Sequence, residues 1–256
     1  MIYAAFSFWL VAIVLMAWAI HDLWSTIIKP KAVNVALLPG TLVAQLGRIV
    51  GLLITGAKVT NTALMTDDED GAPATERRYE AKLPVFGPVV VGLLPLLATG
   101  IMTYVVLVGL GKPVVAAAYQ GGDPLPQDLV LRELPDDPSA FWDQLRHLVT
   151  LAQGTLSAVL RADMAPWRIA AFVYLMICMT VRMAPFVGNI RGHLGAIAAT
   201  GGILALAGTL SPAPAQSIEQ LWPLISLAVG WLFLLLLISL IAHGTASTVR
   251  MIVHWQ

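Results

Sequence analysis

Six stretches of this 256-residue chain are apolar over lengths close to what a membrane crossing requires, and they decide what it can fold into. A transmembrane helix needs roughly 20 mainly apolar residues. The runs cover residues 2–20, 36–57, 84–111, 167–182, 193–210 and 221–243. Only 12% of the residues are charged, where a soluble domain carries about 25%. A water-soluble globule is excluded on that ground. The formal net charge is zero, which removes the basic footprint of a nucleic-acid binder. One cysteine, Cys178, excludes a disulfide framework and a Cys-based zinc ring. The expectation is an all-α multi-pass membrane protein, one membrane domain over 1–256 with about six transmembrane helices.

The first run has no basic residue ahead of it and no small-residue cleavage site behind it, so it reads as an anchor, not a removed signal. Lys58, Arg77, Arg78, Lys82, Arg182, Arg191 and Arg250 fall on the side that would carry both termini. Lys29, Lys31, Lys112, Arg132, Arg146, Arg161 and Arg168 fall on the other, several of these deep in a long loop that counts little. Basic residues near span ends set orientation. The bias places both termini in the cytoplasm of a cell (inner) membrane, of bacterial type.

Two segments lie between spans. Residues 58–82 hold Asp67-Asp68-Glu69-Asp70 and Gly71, an acidic run without the spaced ligands of a calcium loop. A solvated turn between two short strands is expected, giving a small β element after the second span. Residues 112–166 form a long extramembrane loop that opens with a Gly/Pro-rich stretch through Pro138. Trp142, Leu145, Val149, Ala152, Leu156 and Val159 then recur every three or four residues, with Asp143, Arg146 and Gln153 off the stripe. That period predicts an amphipathic helix over 139–161, lying on the membrane face or packed on the spans.

A charge inside hydrocarbon costs at least a few kcal/mol and needs a reason. No Asp or Glu lies inside the six runs, and Arg48 is the only Lys or Arg near a run's centre. On a 3.6-residue helix Thr41, Gln45, Arg48 and Thr55 share one narrow arc, with Ala44 at its edge. Gly47 and Gly51 are four apart, which permits close helix approach. The stripe should face protein or water. An arginine that merely hydrogen-bonds neighbouring carbonyls would account for it equally well.

The segment Leu38-Pro39-Gly40-Thr41-Leu42-Val43-Ala44-Gln45-Leu46-Gly47-Arg48, followed by Thr55-Gly56-Ala57-Lys58-Val59-Thr60, resembles the site-2 protease family of intramembrane zinc metalloproteases. There a proline-led helix carries His-Glu-x-x-His and runs into a similar strand. Met183-Ala184-Pro185-Phe186-Val187-Gly188-Asn189 resembles the later segment that supplies a third zinc ligand. Carried over by position, Ala44 stands for the first histidine, Gln45 for the glutamate, Arg48 for the second histidine and Asn189 for the aspartate. Zinc needs neutral imidazole or anionic oxygen and sulfur donors. Alanine has no donor atom, a guanidinium stays protonated, and a neutral amide cannot take a proton from water. The resemblance therefore implies a catalytically dead member with no cofactor and no metal, in which Gln45, Arg48 and Asn189 converge.

Relocated ligands are not in evidence. No two of His21, His147, His193, His243 and His254 are spaced four apart. Cys178 reads as a small buried residue, and Met176, Met179 and Met183 as packing. The function expected is that of a pseudoprotease acting as scaffold, accessory subunit or regulator for other integral membrane proteins. Val59 and Thr60 could pair an extended segment, and Trp142, Leu145 and Val149 could dock a partner. The alternative is a channel or transport element with a polar layer at Gln45, Arg48 and Asn189.

Overall fold

The computed structural model describes residues 2–56, 62–67, 73–75, 86–119, 134, 135, 137–184 and 190–254. Helix dominates it. α1 (Ile2–Ile27) runs seven residues past the apolar stretch that predicts it, because His21 and Asp22 continue the helix and Ser25 bonds back to the His21 carbonyl at 2.8 Å. α2 (Pro30–Ala36) and α3 (Leu38–Ile54) follow. The run expected as one span over 36–57 is thus a helix beginning at Leu38, joined to a short one at a bend of 88°. Pro39 explains the break, since it lacks the N–H that would continue α2's ladder and its ring suits only a helix's first turn. Two strands, Thr62–Asp67 (β1) and Pro73–Thr75 (β2), pair antiparallel, with Thr62 opposite Thr75.

α4 (Phe86–Gly109) and α5 (Lys112–Tyr119) come next. Residues 112–119 are therefore helical, not part of a Gly/Pro-rich stretch. Pro113 sits in the first turn, where its missing N–H costs nothing, and Val114 to Ala117 sustain the helix. α6 (Pro138–Arg161) realises the amphipathic segment. Asp137 caps it, its carboxylate accepting from the Ala140 amide at 2.6 Å. α7 (Pro166–Val181), α8 (Ile190–Leu210) and α9 (Ala213–His254) complete the described chain.

Three of these helices are long and apolar enough to cross a membrane, α1, α4 and α9, or four if α2 and α3 count as one bent span. α7 and the apolar part of α8, Leu194–Leu210, are shorter. Six helices of full spanning length are not what the described residues contain.

Glycines set the directions of the helices. A Cβ on Gly201 would overlap Ser7, and one on Gly208 would overlap Tyr3, so α8 runs antiparallel to α1. Only Ser211 and Pro212 separate α8 from α9. Far along α9, the Trp24 indole N–H donates to Ser239 Oγ at 2.8 Å. Trp24 lies about 32 Å up α1 from Tyr3, and Ser239 about 39 Å up α9 from Ala213, at about 1.5 Å per residue. α1 and α9 therefore run parallel. α3 and α4 run antiparallel, with Gly47 against Leu94, Pro95 and Ala98, and Gly51 against Val91. One buried apolar cluster unites α1, α4, α6, α7 and α9, including Trp9, Val14, Phe172, Met176, Trp222 and Leu232.

Candidate functional site

The buried face of α3 consists of Gly40, Thr41, Ala44, Gln45, Gly47, Gly51 and Leu52. Residues with little or no side chain alternate there with polar ones, and the small ones bring neighbouring backbones into contact. Gly40 lies against the backbone carbonyl of Cys178 on α7, and Gly47 against the Leu94 carbonyl on α4. Thr41 and Thr55 satisfy their hydroxyls within the helix, on the carbonyls of Leu37 at 3.0 Å and Gly51 at 2.9 Å. Gln45 is only 3% exposed, and its Nε2 is buried without a hydrogen-bond partner among the described residues. Arg48 lies at the centre of the same arc, half-buried, and its side chain is engaged in an interaction.

These placements put Ala44 and Gln45 in the protein interior, on the face α3 turns to the bundle. Val59, Thr60 and Asn189, and with Asn189 the expected convergence of Gln45, Arg48 and Asn189, lie outside the described residues. Among the described residues no cluster of three His, Cys, Asp or Glu groups could hold a metal ion.

α6 divides the expected apolar stripe between a buried and an exposed face. The residues it buries are Leu148, Leu151, Ala152, Thr155, Ala158 and Val159. Trp142, at 62% exposed, Val149 and Leu156 lie on an exposed flank with Leu160, while Leu145 is half-buried. The buried arc packs on α9, where Leu151 and Thr155 approach Gly230. The helix thus has three sectors instead of two. An inner face meets protein, a second apolar flank is exposed, and Asp143, Arg146, His147, Thr150 and Gln153 form a polar back. Period alone marks both apolar sectors and cannot tell which one the protein covers.

A second polar group escaped the sequence reading. Arg182, counted only as a loop charge, is 4% exposed at the C-cap of α7 and donates to the side-chain oxygen of Asn34 on α2. His21 of α1 hydrogen-bonds the same asparagine. Tyr174 Oη donates to the Ala36 carbonyl at 3.0 Å, and Cys178 is fully buried nearby. The group pins the α2–α3 bend to the ends of α1 and α7. Its members are far apart in sequence, and no spacing links them.

Between the helices lies a cavity of about 810 Å³, walled by α1, α4, α5, α6, α7, α8 and α9. Its lining is overwhelmingly apolar, with Phe6, Leu96, Phe172, Met176 and Trp231 prominent.

No protein-family model matches the chain, and no curated protein and no solved structure matches it either.

Proposed function

We propose that this chain is a non-catalytic protein of the site-2 protease type, serving as scaffold, accessory subunit or regulator for other integral membrane proteins of a bacterial inner membrane. The burial of Ala44 and Gln45 on the close-packed face of α3 carries the reading. This face is where a metalloprotease of that type would present its first ligand and its general base, and here it presents a methyl group and an amide. An amide is a neutral donor and acceptor that cannot serve as base at neutral pH. Val59 and Thr60 would offer a strand edge to a partner's extended segment, and the exposed flank of α6 would enter lipid or a partner helix.

The transport reading requires a continuous polar path. The cavity between the helices is overwhelmingly apolar, which favours the scaffold.

The parallel course of α1 and α9 supports a second reading of the topology. If both cross the bilayer they cross in the same direction, so the number of crossings from first to last is odd. The two termini would then lie on opposite sides and the count would be odd, as with the three helices of full spanning length.

The experiment is to combine Ala44→His, Gln45→Glu, Arg48→His and Asn189→Asp in one full-length variant and measure its metal content. One zinc per folded chain, with none in the parent, is expected. A folded variant that stays metal-free would break the residue correspondence. Gentle-detergent purification should also yield a stoichiometric membrane partner.

A further inference from the structure

We infer that α6 is a membrane-surface helix: it lies in the plane of the bilayer edge, with Trp142, Val149, Leu156 and Leu160 sunk into the acyl region of one phospholipid leaflet. The scaffold reading leaves that flank to lipid or to a partner helix, and the placement stands independently of it.

The order of the sectors around α6 fixes its attitude. At 3.6 residues per turn the four apolar residues, all exposed, fall within an arc of about 40°. Asp143, Arg146, Thr150, Gln153 and Arg161, also exposed, fill the next arc. The residues covered by protein, Leu151 and Thr155 among them, fill the third. Each sector runs the length of the helix. The border between hydrocarbon and water is therefore parallel to the helix axis, the condition a bilayer surface sets for a helix lying in its plane. An upright course through lipid would press Asp143 and Arg146, with side chains 61% and 82% exposed, against acyl chains. α6 is not among the helices apolar enough to cross a membrane.

The neighbours of α6 set its depth. The spanning stretch of α4 ends at Gly109, and α5, which begins at Lys112, packs on α6. Leu151 and Thr155 approach Gly230, six residues into the stretch of α9 that begins at Leu224. At about 1.5 Å per residue the contact lies about 9 Å inside that stretch. An interfacial helix buries its apolar face about 5–10 Å into the headgroup–acyl boundary, the same depth.

Lipid fits the flank better than protein does. Trp142 near the start of α6 and Trp167 just past its end are 62% and 65% exposed, and the Arg168 guanidinium lies 5.3 Å from the centre of the Trp167 ring. Tryptophan beside arginine suits the headgroup layer, where the ring meets acyl chains and the polar atoms meet esters and phosphates. A protein partner would gain little. One aromatic side chain offers at most about 250 Å². The flank, even with Phe141 added, is 41–75% exposed residue by residue, which leaves it short of the about 800 Å² that each side of a stable interface buries.

The full chain reconstituted into phosphatidylcholine vesicles provides the test. Cys178, the lone cysteine, is fully buried, so the parent serves as the unlabelled control. Trp142→Cys, Val149→Cys, Leu156→Cys and Leu160→Cys on the flank, and Thr150→Cys and Gln153→Cys on the back, each carry a nitroxide. Collision with dissolved oxygen and with a water-soluble nickel chelate then reports depth. The four flank labels should meet oxygen and not the chelate, all at one depth of about 5–10 Å below the phosphates. The two back labels should meet the chelate.

Chelate reaching the flank labels would overturn the placement. Shielding of the flank from both probes would overturn it too, and would assign the flank to a partner helix or a second copy. A graded depth would refute the in-plane course, because an upright helix separates positions 142 and 160 by about 27 Å. Should Trp142→Cys fail to fold, positions 149 and 160 still differ by about 16 Å in an upright helix, and the same comparison decides.

Discussion

Gly40 on α3 lies directly against the backbone carbonyl of Cys178 on α7, with no room for a Cβ between them. The contact holds the start of the polar helix against the end of α7, beside the Arg182–Asn34 hydrogen bond. Overpacking a tight interface typically costs about 1–3 kcal/mol. Gly40→Ala should lower stability by about that amount, measured from unfolding midpoints in detergent. Gly195→Ala is the contrast, because a Cβ there meets nothing within 4 Å. An alanine in place of a mid-helix glycine gains up to about 1 kcal/mol, so this variant should match or exceed the parent. Equal losses in both would mean that α3 and α7 do not touch at Gly40.

The Trp24–Ser239 bond should be visible in a double-mutant cycle. Ser239 keeps its own bond to the Leu235 carbonyl at 2.7 Å whichever residue stands at 24. Trp24→Phe and Ser239→Ala should therefore couple by about 0.5–1.5 kcal/mol, the net worth of one hydrogen bond. Additive losses would separate the two helices at this level.

The cap of α6 should be pH-dependent. The Ala140 amide, then the Ser139 hydroxyl, hold the Asp137 carboxyl below its ordinary value. A carboxylate whose pKa is lowered by folding contributes fully above its unfolded pKa, near 3.8. That contribution fades as pH falls through the lower folded value. The protection factor at the first turn of α6, exchange measured against the unfolded chain at the same pH, should therefore hold at neutral pH and fall below about pH 4. Asp137→Ala should show the lower protection factor at every pH, and an unchanged profile in that variant would remove the cap.

How much of this could be read from the chain alone differs by kind of signal. The apolar runs and the α3 stripe are local properties of hydropathy and period. Thr41, Ala44 and Gln45 are buried where the wheel places them, and Gly47 and Gly51 meet α4 as their spacing implies. The face of α6 was not legible, because two apolar sectors satisfy the same period and only contact with α9 distinguishes Leu151 from Trp142. The bend at Leu37 has a visible cause in Pro39, but its angle depends on Asn34 meeting Arg182, residues 148 apart. Long-range polar pairs leave no trace in spacing, and the direction of α9 relative to α1 leaves none either.

The parallel course of α1 and α9 has a direct readout. Reporter fusions that are active on only one side of the membrane, placed at the N-terminus and at the C-terminus of the full chain, should give opposite signals. Identical signals would require an even number of crossings and would refute either the pairing of α1 with α9 or the crossing of one of them.

Most of the neighbours that cover α1 are made last. Its glycine contacts come from α8, and the acceptor for Trp24 lies 215 residues downstream. At roughly 5–20 residues per second of synthesis, that interval is on the order of 10–45 s. For that time Trp9, Val14, Ala17 and Ile20, buried in the finished bundle, lack the cover that α8 and α9 later provide. Biogenesis therefore begins with a helix that must wait for the end of the chain, and a ribosome that stops after α7 leaves its first product without a home.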